Sequence, residues 1–492
     1  MRNGIRWTSA ASGCLAAAVL AGCTATVELD SDRDGKIPIT TGSSAALEHF
    51  LEGRELADQI RLTEARESFE RAVAADPDFA LAHLMLANTA TSALEFFDGL
   101  ARAVELAESA SEGERLLILA GDAGSRRDLS AQRRHLVRLV ELYPEDERAR
   151  LALAGDYFGR QEYDRAIEEY RAATAVAPEF SAAYNLLGYA YRAAGRFDEA
   201  ERAFRRYIEL IPDEPNPYDS YAELLMKEGR FAESIENYEK ALEIDPQFVP
   251  SYVGIANNQI FLGRTGEARD TLGRLHAAAR NDGERRQALF WAAVSYVHDG
   301  DHRSAEEKCR EMLAIAEAAG DWAQMAGDLG LIGDLRLDAA DRAGAIEAFD
   351  EAMAAMGRAE VNEDVKAAFG RARLYRLARA AIVAADLAGA ESKVDAFADA
   401  VARRNIPSEV WQLHELQGLL ALAGGDGDVA VEHLERANQQ DPRVLYELAR
   451  AYRQTGDAEH ARESARTAAE WNQLGLNYAY VRARARELLA EL

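Results

Sequence analysis

Residues with ligating or catalytic chemistry are few in this chain of 492 residues. His298-Asp-Gly-Asp-His302 puts two imidazoles and two carboxylates close together, a set able to hold a transition metal. Its centre, Gly300-Asp301, is turn chemistry between two helical stretches, so the segment reads as a polar turn. Asp30-Ser-Asp32-Arg-Asp34-Gly35 copies the start of a calcium loop, where spaced carboxylates and a sharp glycine turn suit a hard cation. The twelfth position of such a loop should be a bidentate Glu and is Thr41; no helix precedes it, and a solvated acidic linker is the better reading. No phosphate-cradling glycine loop, no His-Glu-x-x-His, no serine elbow and no spaced Cys-x-x-Cys pair occurs. The expectation is a protein without catalytic residues, metal or cofactor. The three cysteines, Cys14, Cys23 and Cys309, are too few for a disulfide scaffold.

Cys23 has chemistry of another kind. Arg2 and Arg6 form a short basic start, an uncharged stretch runs from Trp7 to Gly22, and its apolar core spans residues 14–20. That is too short for a stop-transfer helix and reads as a secretory signal. It ends in Leu20-Ala21-Gly22-Cys23, which resembles the lipobox of bacterial lipoproteins. The resemblance implies cleavage before Cys23 and acylation there, and Thr24 in place of Asp implies the outer membrane, facing the periplasm or exposed at the surface. Several acyl chains anchor firmly because each buried methylene contributes about 0.8 kcal/mol. Loss of residues 1–22 takes two arginines with it and moves the formal charge from −27 to −29. Residues 23–43, rich in Asp, Gly, Pro, Ser and Thr and without helical period, are expected to form a flexible tether.

From residue 44 the chain repeats. Prolines 144, 178, 212 and 246 follow one another at a 34-residue period, and Pro77 lies close to two periods before the first. With this proline at position 32, Tyr184, Leu187, Gly188 and Tyr191 take positions 4, 7, 8 and 11, and Ala200, Phe204 and Tyr207 take 20, 24 and 27. Each set lies on one face of a helix by the i, i+3, i+4, i+7 rule. Position 8 must be small for two helices to approach; it is Gly53, Ala87, Ala120, Ala154, Gly188, Ala222, Ala256, Ala293, Gly333, Gly418 and Ala449. Gly195, Gly229, Gly263, Gly300 and Gly456 supply the left-handed turn that ends the first helix, and the proline stops the second. Cys309 falls at position 24, a core slot, and reads as a small apolar residue.

This pattern resembles the tetratricopeptide repeat family. The resemblance implies an all-α solenoid, a right-handed superhelix of about 12 helix pairs. Residues 44–282 are well phased, 283–406 hold longer and divergent pairs, and 407–492 hold the last repeats. A closing helix from Ala479 to Leu492, with Arg482, Arg484, Arg486 and Glu487 outside, is expected to cover the open end of the stack. In this family the first helices line a concave groove, which implies Asn185, Tyr189, Arg192, Asp219, Glu223, Lys227, Asn257, Phe261 and Phe290 as its wall.

With 84 acidic against 57 basic side chains, phosphate neutralisation is unfavourable and a nucleic-acid partner is not expected. No unit pairs Lys at position 5 with Asn at position 9, so the carboxylate-clamping subtype is set aside, and Asp219 and Glu223 favour basic or neutral segments. The expected function is a lipid-anchored, non-catalytic scaffold that binds protein or peptide partners in envelope assembly or secretion. The rival is a glycan-binding accessory subunit of a polysaccharide or peptidoglycan machine, favoured by aromatics and paired amides exposed in the groove.

Overall fold

The computed structural model describes residues 27–28, 35–402, 404, 406–473 and 475–492. The lipobox, Cys23 and the Asp30–Asp34 run lie outside the described residues. Among those described, the array opens with α1 (Ser44–Asp58), α2 (Leu62–Ala75), α3 (Ala80–Asn88), α4 (Ala93–Leu106), α5 (Glu112–Ser125), α6 (Leu129–Leu142), α7 (Glu147–Gly159) and α8 (Tyr163–Val176). It continues through α9 (Ser181–Ala193), α10 (Phe197–Leu210), α11 (Asn216–Lys227), α12 (Phe231–Ile244), α13 (Val249–Phe261), α14 (Thr265–Ala278), α15 (Asp282–His298) and α16 (His302–Ala319). The last third holds α17 (Trp322–Asp338), α18 (Arg342–Arg358), α19 (Glu363–Val383), α20 (Leu387–Val401), α21 (Pro407–Gly424), α22 (Gly427–Glu435), α23 (Pro442–Thr455), α24 (Ala458–Ala469) and α25 (Leu476–Glu491). Each odd helix packs on the even helix after it, and each pair on the next, which is the nearest-neighbour pattern of an α-solenoid. Outside the helices, Val27–Glu28 pairs with Thr40–Thr41 in a two-residue antiparallel ladder.

The small residues at position 8 meet large ones at position 24. A Cβ on Gly188 would lie 2.6 Å from the Phe204 ring, so the helix axes approach as closely as this position permits. In residues 283–406 the pairing persists and the helices lengthen, α15 to 17 residues and α19 to 21. Most first helices end on a residue of positive φ. Gly195, Gly229, Gly263, Gly300 and Gly456 have φ of 74°, 78°, 79°, 75° and 86°, as their places in the repeat require. Ile60, Arg127, Gln161, Ala340 and Ala385 hold the same conformation without being glycine. Ile60 is β-branched, for which φ of 62° is strained. Relief of a left-handed penalty of about 1–2 kcal/mol against a glycine entropy cost of about 0.5–1 kcal/mol predicts that Ile60→Gly raises the denaturation midpoint. An unchanged or lower midpoint in a urea melt would count against that strain.

The tether expectation is corrected from Gly35 onward. This stretch is an extended strap fixed across the loops that enter successive first helices. Gly42 N–H donates to Asp76 Oδ2 at 2.9 Å, with the Thr41 hydroxyl on the same carboxylate. Thr40 N–H donates to Glu114 Oε1 at 2.9 Å, Ser111 Oγ to the Pro38 carbonyl at 2.8 Å, and Ile37 N–H to Asp146 Oδ2 at 2.9 Å. Lys36 pairs with Glu147. The carboxylates recur about one repeat apart, so an extended chain finds an acceptor at each step. Ile39 is buried, and Ile37 packs on the cluster that contains Leu116, Leu136 and Leu139, which removes apolar surface that a free tether would leave in water.

The array also returns on itself. Thr63 Oγ1 donates to Glu284 Oε1 at 3.3 Å, Leu94 N–H to Asp321 Oδ2 at 3.3 Å, Gln161 Nε2 to Asn438 Oδ1 at 2.9 Å, and Arg404 to the Arg126 carbonyl at 3.3 Å. Turns inside the early pairs thereby meet loops that enter the later ones.

Candidate functional site: the concave wall and the C-terminal helix

Neighbouring first helices touch one another along the stack, α7 with α9, α9 with α11, α11 with α13 and α13 with α15. Second helices make no comparable contact among the described residues, so the first helices form the tighter, concave wall. Asn185, Tyr189 and Arg192 stand on α9, Asp219, Glu223 and Lys227 on α11, Asn257 and Phe261 on α13, and Phe290 on α15. All nine therefore share one wall, but they do not present an open groove.

The α9–α13 stretch is closed by its own polar network. The Tyr189 hydroxyl donates to Ser220 Oγ at 3.3 Å, and the Arg192 guanidinium lies 4.8 Å from the Tyr189 ring while pairing with Glu223 at 2.8 Å. Ser251 Oγ donates to Asp219 Oδ1 at 2.7 Å. Burial, with Glu223 nearby, pushes the Asp219 carboxyl well above the usual carboxylate range, which the Ser251 hydrogen bond only partly opposes. Asn257 donates to its own helix at Val253 O, 2.9 Å away. Asn185, Asp219 and Asn257 are all buried, so their amides and carboxylate are turned into the array and away from solvent. The carbonyl oxygens of Asn185 and Asn257 have no hydrogen-bond partner.

The other residues meet the chain's own C-terminus. Lys227 Nζ donates to the Trp471 carbonyl at 2.7 Å and lies 3.8 Å from its ring. Burial, with Arg192 nearby, brings the Lys227 ammonium down to about 8. The Phe261 ring packs edge-on against Tyr478 at 5.6 Å, and Arg482 donates to the Phe261 carbonyl at 3.0 Å. Phe290 packs on the cluster that contains Ala293, Val294, Ala479 and Tyr480. The closing helix thus does more than cover the end of the stack. Ala485 and Leu488 of α25 rest on α23 and α24 as a cap, while Tyr478, Tyr480, Arg482 and Arg484 reach across to α13, α15 and α17. Arg482 faces inward, which corrects its placement on the outside; Arg484, Arg486 and Glu487 are exposed, and Arg484 bonds Asp338 at 2.9 Å. Apolar residues around most of its circumference, from Leu476 through Val481 to Leu488, were the sequence signal for a helix covered on two sides.

The candidate cluster around Gly300 divides. His298 lies against Phe261 and Tyr478, and its imidazole is lowered to about 3 by burial, with Arg482 and Arg486 adding to the effect. His302 Nε2 instead bonds Asp338 Oδ2 at 2.7 Å, and Asp301 caps α16. Cys309 is buried with its thiol pushed up to about 12, mainly by burial, a core residue and a poor nucleophile at neutral pH. Beside α25 the wall leaves a recess of about 160 Å³ lined by Asp334, Asp338, Glu415, Glu447, Arg379 and Arg443.

Family models described as tetratricopeptide repeat match residues 50–112 and 151–215, 225–289, and 442–473. Among solved structures, the Cut9–Hcn1 hetero-tetramer of the APC/C is 15% identical over 86% of this chain and 76% of that one, with a TM-score of 0.41. A tetratricopeptide repeat protein from Parabacteroides merdae is 14% identical over 56% and 94%, with a TM-score of 0.36. YrrB, described as a protein with an unusual peptide-binding site, is 18% identical over 37% and 91%, with a TM-score of 0.25. No curated protein matches the chain. The helix pairing, the small-against-large contacts and the family matches agree: residues 50–112, 151–215, 225–289 and 442–473 of this α-solenoid match the tetratricopeptide repeat.

Proposed function

We propose that this chain is a non-catalytic scaffold for protein or peptide partners, held by acyl groups on Cys23 at the outer membrane and acting in envelope assembly or secretion on the periplasmic side. The tetratricopeptide fold suggests a protein-interaction scaffold, and one observation carries the choice of polypeptide as ligand. The concave wall uses its functional side chains on polypeptide: Lys227 holds the Trp471 carbonyl, Phe261 holds Tyr478, and Asp338 holds Arg484. A glycan platform would need amides and aromatic faces open to solvent, and Asn185, Asn257 and Phe261 are buried. The anchor rests on the Leu20–Cys23 motif and the apolar segment before it.

Two measurements test this reading. Cys23→Ser is expected to move the protein from the membrane fraction to the soluble fraction, and retention on membranes would remove the anchor. Crosslinking in the native envelope should join α13–α17 to a protein partner; crosslinks to glycan alone would overturn the scaffold.

A further inference from the structure

The two halves of α25 do different work. Ala485 and Leu488 bury against Leu445, Ala449, Ala465 and Ala468 of the last pair, as a terminal cap must. The N-terminal half is a latch on distant helices. Tyr478 packs with Met226, Ile260, Phe261 and Leu272, Tyr480 packs with Val294, Val297 and Leu335, and Arg484 reaches Asp338.

The latch is imperfectly matched. Arg482 is largely buried with a backbone carbonyl and two rings for company and no carboxylate, and its Nε has no hydrogen-bond partner. The buried Tyr480 hydroxyl also lacks one. Buried donors without acceptors carry an unreturned desolvation cost, so this contact is weaker than its area suggests. Beyond Arg484 the wall continues into the recess, where Asp334, Glu415 and Glu447 pair with the chain's own Arg376, Arg443 and Arg450. The chain as a whole carries −27.

We infer that the concave face of α13, α15 and α17 is the partner-binding surface, that its partner is a basic helix with an aromatic residue followed four and six positions later by arginines, and that α25 occupies the surface in the resting chain until such a helix displaces it. The spacing is that of Tyr478, Arg482 and Arg484, whose receptors are the Phe261 ring, the Phe261 carbonyl and Asp338. The Arg484–Asp338 ion pair supplies the charge complementarity. This inference rests on the scaffold reading and assigns it a surface. A second consequence concerns pH. His298 is faced by the Phe261 ring from α13 and by Tyr478, Arg482 and Arg486 from α25. Its proton affinity is depressed while α25 is docked, so docking is favoured above the ordinary imidazole range near pH 6.5 and weakens as pH falls below it.

The test uses the full chain and a fluorescein-labelled synthetic peptide of residues 476–492. Tyr480→Ala/Arg484→Glu alters the latch and leaves the wall intact. It is expected to speed amide exchange in α25 at least tenfold and to bind the peptide, by anisotropy, at least tenfold more tightly than the unaltered chain, with a scrambled peptide not bound. Equal binding by both chains, or none by either, overturns the inference. Should the double variant lose its helical melt, the unaltered chain decides. Amide protection factors in its α25 should be lower at pH 5.5 than at pH 7.5, with His298→Phe abolishing the difference, and pH-independent protection overturns the inference. Failure of peptide binding with persistent crosslinking to an envelope protein would remove this surface and leave the scaffold standing.

Discussion

Arg371→Met is expected to destabilise the second half of the array by about 3 kcal/mol or more, the cost of stranding one member of a buried ion pair. Arg371 on α19 donates from Nε to Glu409 Oε1 on α21 at 2.8 Å, and the two residues are 8% and 2% exposed. The nearest other cation to that carboxylate is Arg127, 3.7 Å away, from the turn between α5 and α6. With Arg371 gone, the Glu409 carboxylate is left in a buried site with one partner at long range. The pair is not expected to be a net source of stability, because Arg371 Nη2 and Glu409 Oε2 already lack partners. Arg371→Met/Glu409→Leu should therefore recover most of the loss. Urea melts with amide exchange read separately in α19 and α21 distinguish the cases. Equal destabilisation by the single and double variants would show that packing, and not the stranded charge, sets the effect.

Arg127 in that contact also marks where sequence periodicity stops being informative. Register along one repeat is a local property. The left-handed turns at Gly195 through Gly300 and the small residue opposite Phe204 follow from spacing alone. So does membership of the concave wall for Asn185, Tyr189 and the seven residues grouped with them. Whether that wall is open is not local. It depends on the small rotation from one pair to the next, summed over six or more pairs, and that sum brings Arg482 to Phe261 across 221 positions and Arg404 to Arg126 across 278. No motif length encodes it. The strap at residues 35–43 escaped for a related reason: its carboxylate partners Asp76, Glu114 and Asp146 sit in three different repeats and look like ordinary loop and cap residues within each one. The left-handed Ile60, Arg127, Gln161, Ala340 and Ala385 show the opposite case, in which the register demands a backbone conformation that the local residue type disfavours.

Gly333→Ala and Gly327→Ala should shift stability in opposite directions although both lie within α17. Alanine is favoured over glycine in a helix interior by about 0.8–1.0 kcal/mol, so propensity alone predicts a gain at both positions. Gly327 is exposed with nothing within 4 Å of an added Cβ, and there the gain should appear in full. Gly333 is the position-8 residue of its pair, where an added Cβ would stand 2.2 Å from the Phe349 ring. Phe349 is 1% exposed and has no open space to retreat into. Overpacking of that kind costs about 1–3 kcal/mol and should outweigh the helical gain. Phe349→Leu alone should also destabilise through lost contact area, yet combined with Gly333→Ala it should restore part of the loss, because the smaller side chain makes room for the methyl group. Additive losses in this cycle would mean that α17 and α18 do not meet through these two residues. A coupled recovery would place the small-against-large rule of the well-phased repeats inside the divergent stretch, and with it the wall on which α25 rests.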